Sequence, residues 1–96
     1  MNLGEILSGV ALLQPLAPEL AQAPVAAIEF DSRRVSSQSL FFAFPGSKVD
    51  GRQFAADALA RGALAVVCES PAPPDFAGRW IQVAHGRRAL SLAARN

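Results

Sequence analysis

A chain of 96 residues, 51% hydrophobic and 18% charged, has the make-up of one folded domain and not of a disordered segment. Nine Lys and Arg against eight Asp and Glu leave a net charge of +1, which lacks the basic excess of a dedicated nucleic-acid binder. A single cysteine, Cys68, excludes an internal disulfide and suits a reducing compartment.

The apolar first 27 residues carry Ala21-Gln22-Ala23, which looks like a small-residue cleavage site. A secretory signal needs a basic start, yet the first Lys or Arg is Arg33, and Glu5, Pro15, Pro18 and Glu19 interrupt the apolar run. No stretch reaches the roughly 20 apolar residues of a membrane helix. Asn2 and Glu5 have the spacing of a capping box, and Leu3, Ile6, Leu7 and Val10 share one face of the helix it opens. Pro15 and Pro18 are expected to end that helix and begin a linker. Val25 to Asp31 reads as a strand, and the unbroken apolar run Leu40 to Phe44 as a strand buried on both faces, stopped by Pro45-Gly46.

Asp50 is the expected N-cap of the next helix, with Gln53 as its capping-box partner and Phe54, Ala58 and Leu59 as its apolar face. Arg61 suits the C-terminal end of the dipole, and Gly62 suits a left-handed cap. Ala63 to Cys68 is a second buried strand and Pro71 to Pro74 a rigid surface loop. Trp80 to Ala84 is a third core strand, and Arg87 to Arg95 a last helix. Alternating strands and helices imply an α/β fold, a small mixed or mostly parallel sheet flanked by helices, with residues 1–96 as one domain. The last helix runs to Asn96 without an evident cap, and the expectation is a piece of a longer protein.

Two stretches offer anion-binding chemistry. Ser32 follows a strand and can donate its hydroxyl to a phosphate oxygen, with Arg33 adding charge. The alternative is that Asp31 and Ser32 only close the turn through local hydrogen bonds. Ser47, Lys48 and Val49 lie between two glycines just before a helix N-terminus, where backbone can approach a ligand. There the alternative is an ordinary strand-to-helix connection capped by Asp50. His85 has no acidic, Cys or His partner at metal spacing, and Cys68 sits among Val and Ala as a core thiol. No catalytic residue and no metal ligand is expected in this chain. The phosphate loop Gly-x-x-x-x-Gly-Lys-Ser/Thr is absent, and so is Gly-x-Gly-x-x-Gly.

The order Asp31-Ser32-Arg33, Leu40-Phe41, Gly46, Asp50-Gly51, Ala58 and Gly62-Ala63 resembles the N-terminal domain of the Mur ligases. The MurE type is nearer than the MurF type, which shares the Asp-Ser-Arg and Asp-Gly signals. The resemblance runs from about Leu3 to the chain end and is most specific between Ile28 and Glu69. The chain departs from the pattern at Gln38-Ser39, where the family often has Gly-Asp, and at Ser47, where it often has His.

The resemblance implies a domain that holds the UDP end of a sugar-peptide substrate, UDP-MurNAc-L-Ala-D-Glu. Phe30 and Ser32 match the family's first contact loop, and Ser47, Lys48 and Val49 match its second. It implies a cytoplasmic parent enzyme of peptidoglycan synthesis, with no nucleic-acid or membrane partner. Using ATP and Mg2+ in its central domain, that enzyme makes an acyl phosphate of the D-glutamate carboxylate. An amine, meso-diaminopimelate in preference to L-lysine, attacks it at a site completed by the C-terminal domain. The alternatives are a MurF-type domain of an enzyme adding D-Ala-D-Ala, and a free-standing, non-catalytic α/β interaction module.

Overall fold

The computed structural model describes residues 1–43, 51–72, 74, 76 and 78–96, with the backbone alone for 51–53. Among the described residues, four strands form one sheet: β1 (Ala27–Glu29), β2 (Ser39–Phe42), β3 (Ala65–Cys68) and β4 (Trp80–Gln82). Their order in space is β1-β2-β3-β4, and all three pairings are parallel. The sheet is therefore wholly parallel. β2 and β3 are buried along their whole length, as unbroken apolar runs in a parallel sheet require.

Alternate residues of the central strands feed two cores. Leu40, Phe42, Ala65 and Val67 pack on one face with Leu3, Ile6 and Leu7 of the N-terminal helical turn and Ala89 and Ala93 of the last helix. Phe41, Val66 and Cys68 pack on the other face with Val35, Ala55 and Ala58. The α-helices among the described residues are α1 (Leu3–Ile6), α2 (Pro18–Ala21), α3 (Gly51–Ala60) and α4 (Gly86–Arg95).

Local signals set several boundaries. The Asn2 carboxamide accepts the Glu5 N–H at 2.8 Å and the Glu5 carboxylate accepts the Asn2 N–H at 3.0 Å, closing the expected capping box. Pro18 does not begin a linker. It is the first residue of α2, where its missing N–H costs nothing because that group has no helical partner anyway. The segment before it lies along the outer edge of β4, with the Leu13 N–H donating to Gln82 and the Ala84 N–H to Ala11. An edge strand is thereby covered. At the far end of the chain, the Asn96 carboxamide donates to the Ile6 and Ser8 carbonyls at 3.0 and 2.8 Å, tying α4 to α1.

α3 ends in a Schellman motif: the Gly62 N–H donates to Leu59 and the Ala63 N–H to Ala58, with Gly62 at φ +101°. The Gly62 carbonyl accepts the Gln38 N–H at 2.9 Å, so this cap is joined to the entry of β2. Gln38 itself has φ +66°, at the position where the resembled pattern carries Gly. That conformation disfavours a side chain, and the one compensation is an exposed bond from the Gln38 amide to the Pro24 carbonyl. Gln38→Gly is expected to raise stability by about 0.5–1 kcal/mol, read as a rise in the urea midpoint at unchanged slope.

The expected Asp50 cap, the Gln53 side chain and Phe44 to Gly46 lie outside the described residues.

Candidate functional site

β1 delivers the chain to Phe30, whose ring is 67% exposed, and then to a short turn. The turn is built by Asp31. One carboxylate oxygen accepts the Arg33 N–H at 3.0 Å and Arg33 Nε at 3.1 Å, and the other accepts Arg33 Nη2 at 2.9 Å. Residues Ser32–Arg34 form one turn of 3-10 helix, closed by the Val35 N–H donating to the Ser32 carbonyl at 3.3 Å. Val35 is buried and anchors the turn against the core that it shares with α3.

This geometry redistributes the roles read from sequence. The side chain of Arg33 is turned back onto Asp31, so its charge is compensated within the turn. Hydrogen bonds from the Arg33 guanidinium, then from its N–H, hold the Asp31 carboxyl at about 2 against an ordinary 3.8. The Arg33 guanidinium is raised by the same pair. A lowered carboxyl pKa means that the pair's contribution is complete above pH 3.8 and is lost as the pH falls through about 2. A carboxyl-detected NMR titration is expected to place the Asp31 midpoint near 2, and Arg33→Ala to return it towards 3.8.

Ser32 is only 5% exposed, and its hydroxyl has no hydrogen-bond partner among the described residues. No sealed polar side-chain atom among those residues lacks a partner, so the hydroxyl has access to solvent. It lines a cleft of about 550 Å³ together with Phe30, Asp31 and Arg33. Phe41 and Ala43, at and just beyond the C-terminal end of β2, and Phe54 of α3 complete the lining. β1 and β2 are parallel neighbours, so the cleft lies at the carboxyl ends of adjacent strands, the usual place for a ligand in an open α/β sheet. Its size is that of a small-molecule site.

Phe30 and Ser32 are thus brought together. Ser47, Lys48 and Val49 lie outside the described residues. Phe54 corrects the sequence reading, which put it in the core: it is 43% exposed, while Ala55 and Ala58 are fully buried. Both Phe54 and Ala55 have helical spacing to Ala58, so periodicity alone leaves the face open. Close packing of α3 on the sheet then favours the smaller residue. Elsewhere, His85 is exposed at the start of α4 without capping it, and that end is held by the Glu69 carboxylate, which accepts the Gly86 N–H at 2.9 Å. Cys68 is buried in β3. Among the described residues, no group of three His, Cys, Asp or Glu is placed to hold a metal ion.

The chain is 73% identical over 95 residues to UDP-N-acetylmuramoyl-L-alanyl-D-glutamate--2,6-diaminopimelate ligase of Solibacter usitatus (strain Ellin6076), covering 99% of this chain and 19% of that protein. It therefore spans about a fifth of that relative's length. Among solved structures, MurF from Acinetobacter baumannii superposes with a TM-score of 0.67 at 27% identity, over 94% of this chain and 18% of that one. A structure of a 2,6-diaminopimelate ligase with the same name as the Solibacter protein gives 0.64 at 28% identity, over 83% and 15%. The model of the Mur ligase family, catalytic domain, matches residues 24–96, a stretch holding the whole sheet and the turn at Ser32, and the chain belongs to that family.

Proposed function

We propose that the chain is the UDP-binding N-terminal domain of a MurE-type ligase. The whole enzyme adds meso-diaminopimelate to UDP-MurNAc-L-Ala-D-Glu in peptidoglycan synthesis, in the cytoplasm. The observation that carries this reading is the cleft at the ends of β1 and β2, with the Ser32 hydroxyl, unpaired among the described residues, in its wall. The 73% identity to a diaminopimelate ligase favours the MurE type over the MurF type, which the near-equal structural likenesses do not separate. L-Lysine remains the alternative amine.

ATP and Mg2+ are the cofactors of the whole enzyme. The sequence has no phosphate loop, and the described residues hold no metal-ligating cluster. Both are assigned to the central domain of the whole enzyme, which with the C-terminal domain is this chain's partner. No helix among the described residues is long and apolar enough to cross a membrane.

Among the described residues, the cleft has one hydroxyl donor in an apolar setting, and its Arg33 is engaged by Asp31. Ser32 donates to an oxygen of the UDP end. Titrating the chain with UDP is expected to shift the amide signals of Ser32 and its turn. Ser32→Ala is expected to weaken UDP binding by about 1.5–3 kcal/mol, the value of a hydrogen bond to a charged oxygen, with the remaining amide spectrum unchanged. UDP binding that leaves the Ser32 turn unshifted refutes the site.

A further inference from the structure

The turn after β1 is a single turn of 3-10 helix over Ser32–Arg34, a conformation with poor hydrogen-bond geometry and few bonds of its own. Its backbone bonds run from the Arg34 N–H to the Asp31 carbonyl at 3.0 Å and from the Val35 N–H to the Ser32 carbonyl at 3.3 Å. The Asp31 carboxylate reinforces them from the side, accepting the Arg33 N–H at 3.0 Å, Nε at 3.1 Å and Nη2 at 2.9 Å. All of these side-chain bonds reach across Ser32. They therefore fix the backbone from which its hydroxyl leaves towards the cleft.

The same pair does little for the fold as a whole. The Arg33 side chain is 82% exposed, and an exposed ion pair contributes little to stability. Its effect is local, on the orientation of one residue in the cleft wall. A turn released from the carboxylate samples further arrangements, and the apparent affinity of a ligand falls with the fraction that stays competent. We propose that Asp31 is a positioning residue for nucleotide binding: its carboxylate, bound by the Arg33 N–H and guanidinium, keeps the turn in the arrangement that presents the Ser32 hydroxyl to the ligand. This deepens the UDP-binding reading and rests on it.

The test uses the 96-residue chain and UDP. Asp31→Ala is expected to weaken UDP binding about fivefold to tenfold, while lowering the melting temperature by no more than about 4 °C. Charge alone predicts the reverse, because removing a carboxylate beside an anionic ligand strengthens binding. Asp31→Asn removes the same charge but keeps an oxygen that can accept the Arg33 N–H, and it is expected to recover most of the affinity. In a Ser32→Ala background, Asp31→Ala is expected to cost no further affinity, because the hydroxyl it would position is gone. UDP that binds Asp31→Ala as tightly as the unmodified chain overturns the role of Asp31 and leaves the UDP site standing. So does a loss from Asp31→Ala that is the same with and without the Ser32 hydroxyl. Failure of UDP to shift the Ser32 turn of the unmodified chain overturns the underlying reading itself.

Discussion

Gly62→Val is expected to destabilise the domain by at least about 2 kcal/mol, a fall in melting temperature on the order of 10 °C. Two independent costs add. Gly62 has φ +101°, a conformation that an L side chain, and a β-branched one above all, adopts only under strain. A Cβ placed there would also stand 3.0 Å from the Ser37 Cα and 3.4 Å from the Ser37 nitrogen, and backbone does not yield as a side-chain tip does. The cap cannot move aside, because the Gly62 carbonyl accepts the Gln38 N–H at the entry of β2. Arg61 next to it is the control. Its guanidinium reaches Asp57 one turn back at 3.2 Å, both side chains are exposed, and Arg61→Ala is expected to cost no more than about 0.5 kcal/mol. Thermal melts of the two variants check both. Equal melting temperatures for Gly62→Val and the unmodified protein would remove the cap from the account.

Phe42→Ala is expected to cost about 3–5 kcal/mol. Phe42 is 1% exposed, lies in the central strand β2, and shares its core with α1, α4 and β3. Truncation leaves a cavity under two helices that other ties hold in place, namely the Asn96 carboxamide on α1 and the Glu69 carboxylate on the start of α4. The site therefore cannot collapse cheaply. Against a total of about 5–15 kcal/mol for a typical domain, the loss brings the variant near its unfolding threshold at 37 °C. Phe54→Ala removes the same atoms from an exposed ring and is expected to cost far less. Urea unfolding of the pair measures the difference. Similar midpoints would mean that Phe54, too, is part of the core.

The two buried strands were legible because their runs, Leu40 to Phe42 and Ala65 to Cys68, are apolar at every position, a pattern that only a doubly covered strand tolerates. The capping box at Asn2 and the Gly62 cap were legible because each is closed by hydrogen bonds within six residues. Phe30 and Ser32, which both line the cleft, were named from the resemblance carried by the Asp-Ser-Arg signal, whose carboxylate builds the turn. Phe54 was not. Its burial depends on which of two helical faces meets the sheet, and both faces carry alanine or larger apolar residues.

What the sequence determined by itself was therefore everything encoded over a few residues: strand identity, helix caps, the turn after β1 and the order of the motifs. The tertiary structure decided the wholly parallel order of the strands, the laying of residues 11–13 along the β4 edge and the start of a helix at Pro18. It also turned Phe54 into the cleft and folded Arg33 back onto Asp31. The physical reason is range. A cap or an apolar run lowers the free energy of its own segment, whereas the face that a helix buries is set by the surface it meets, contributed by residues far away in the chain.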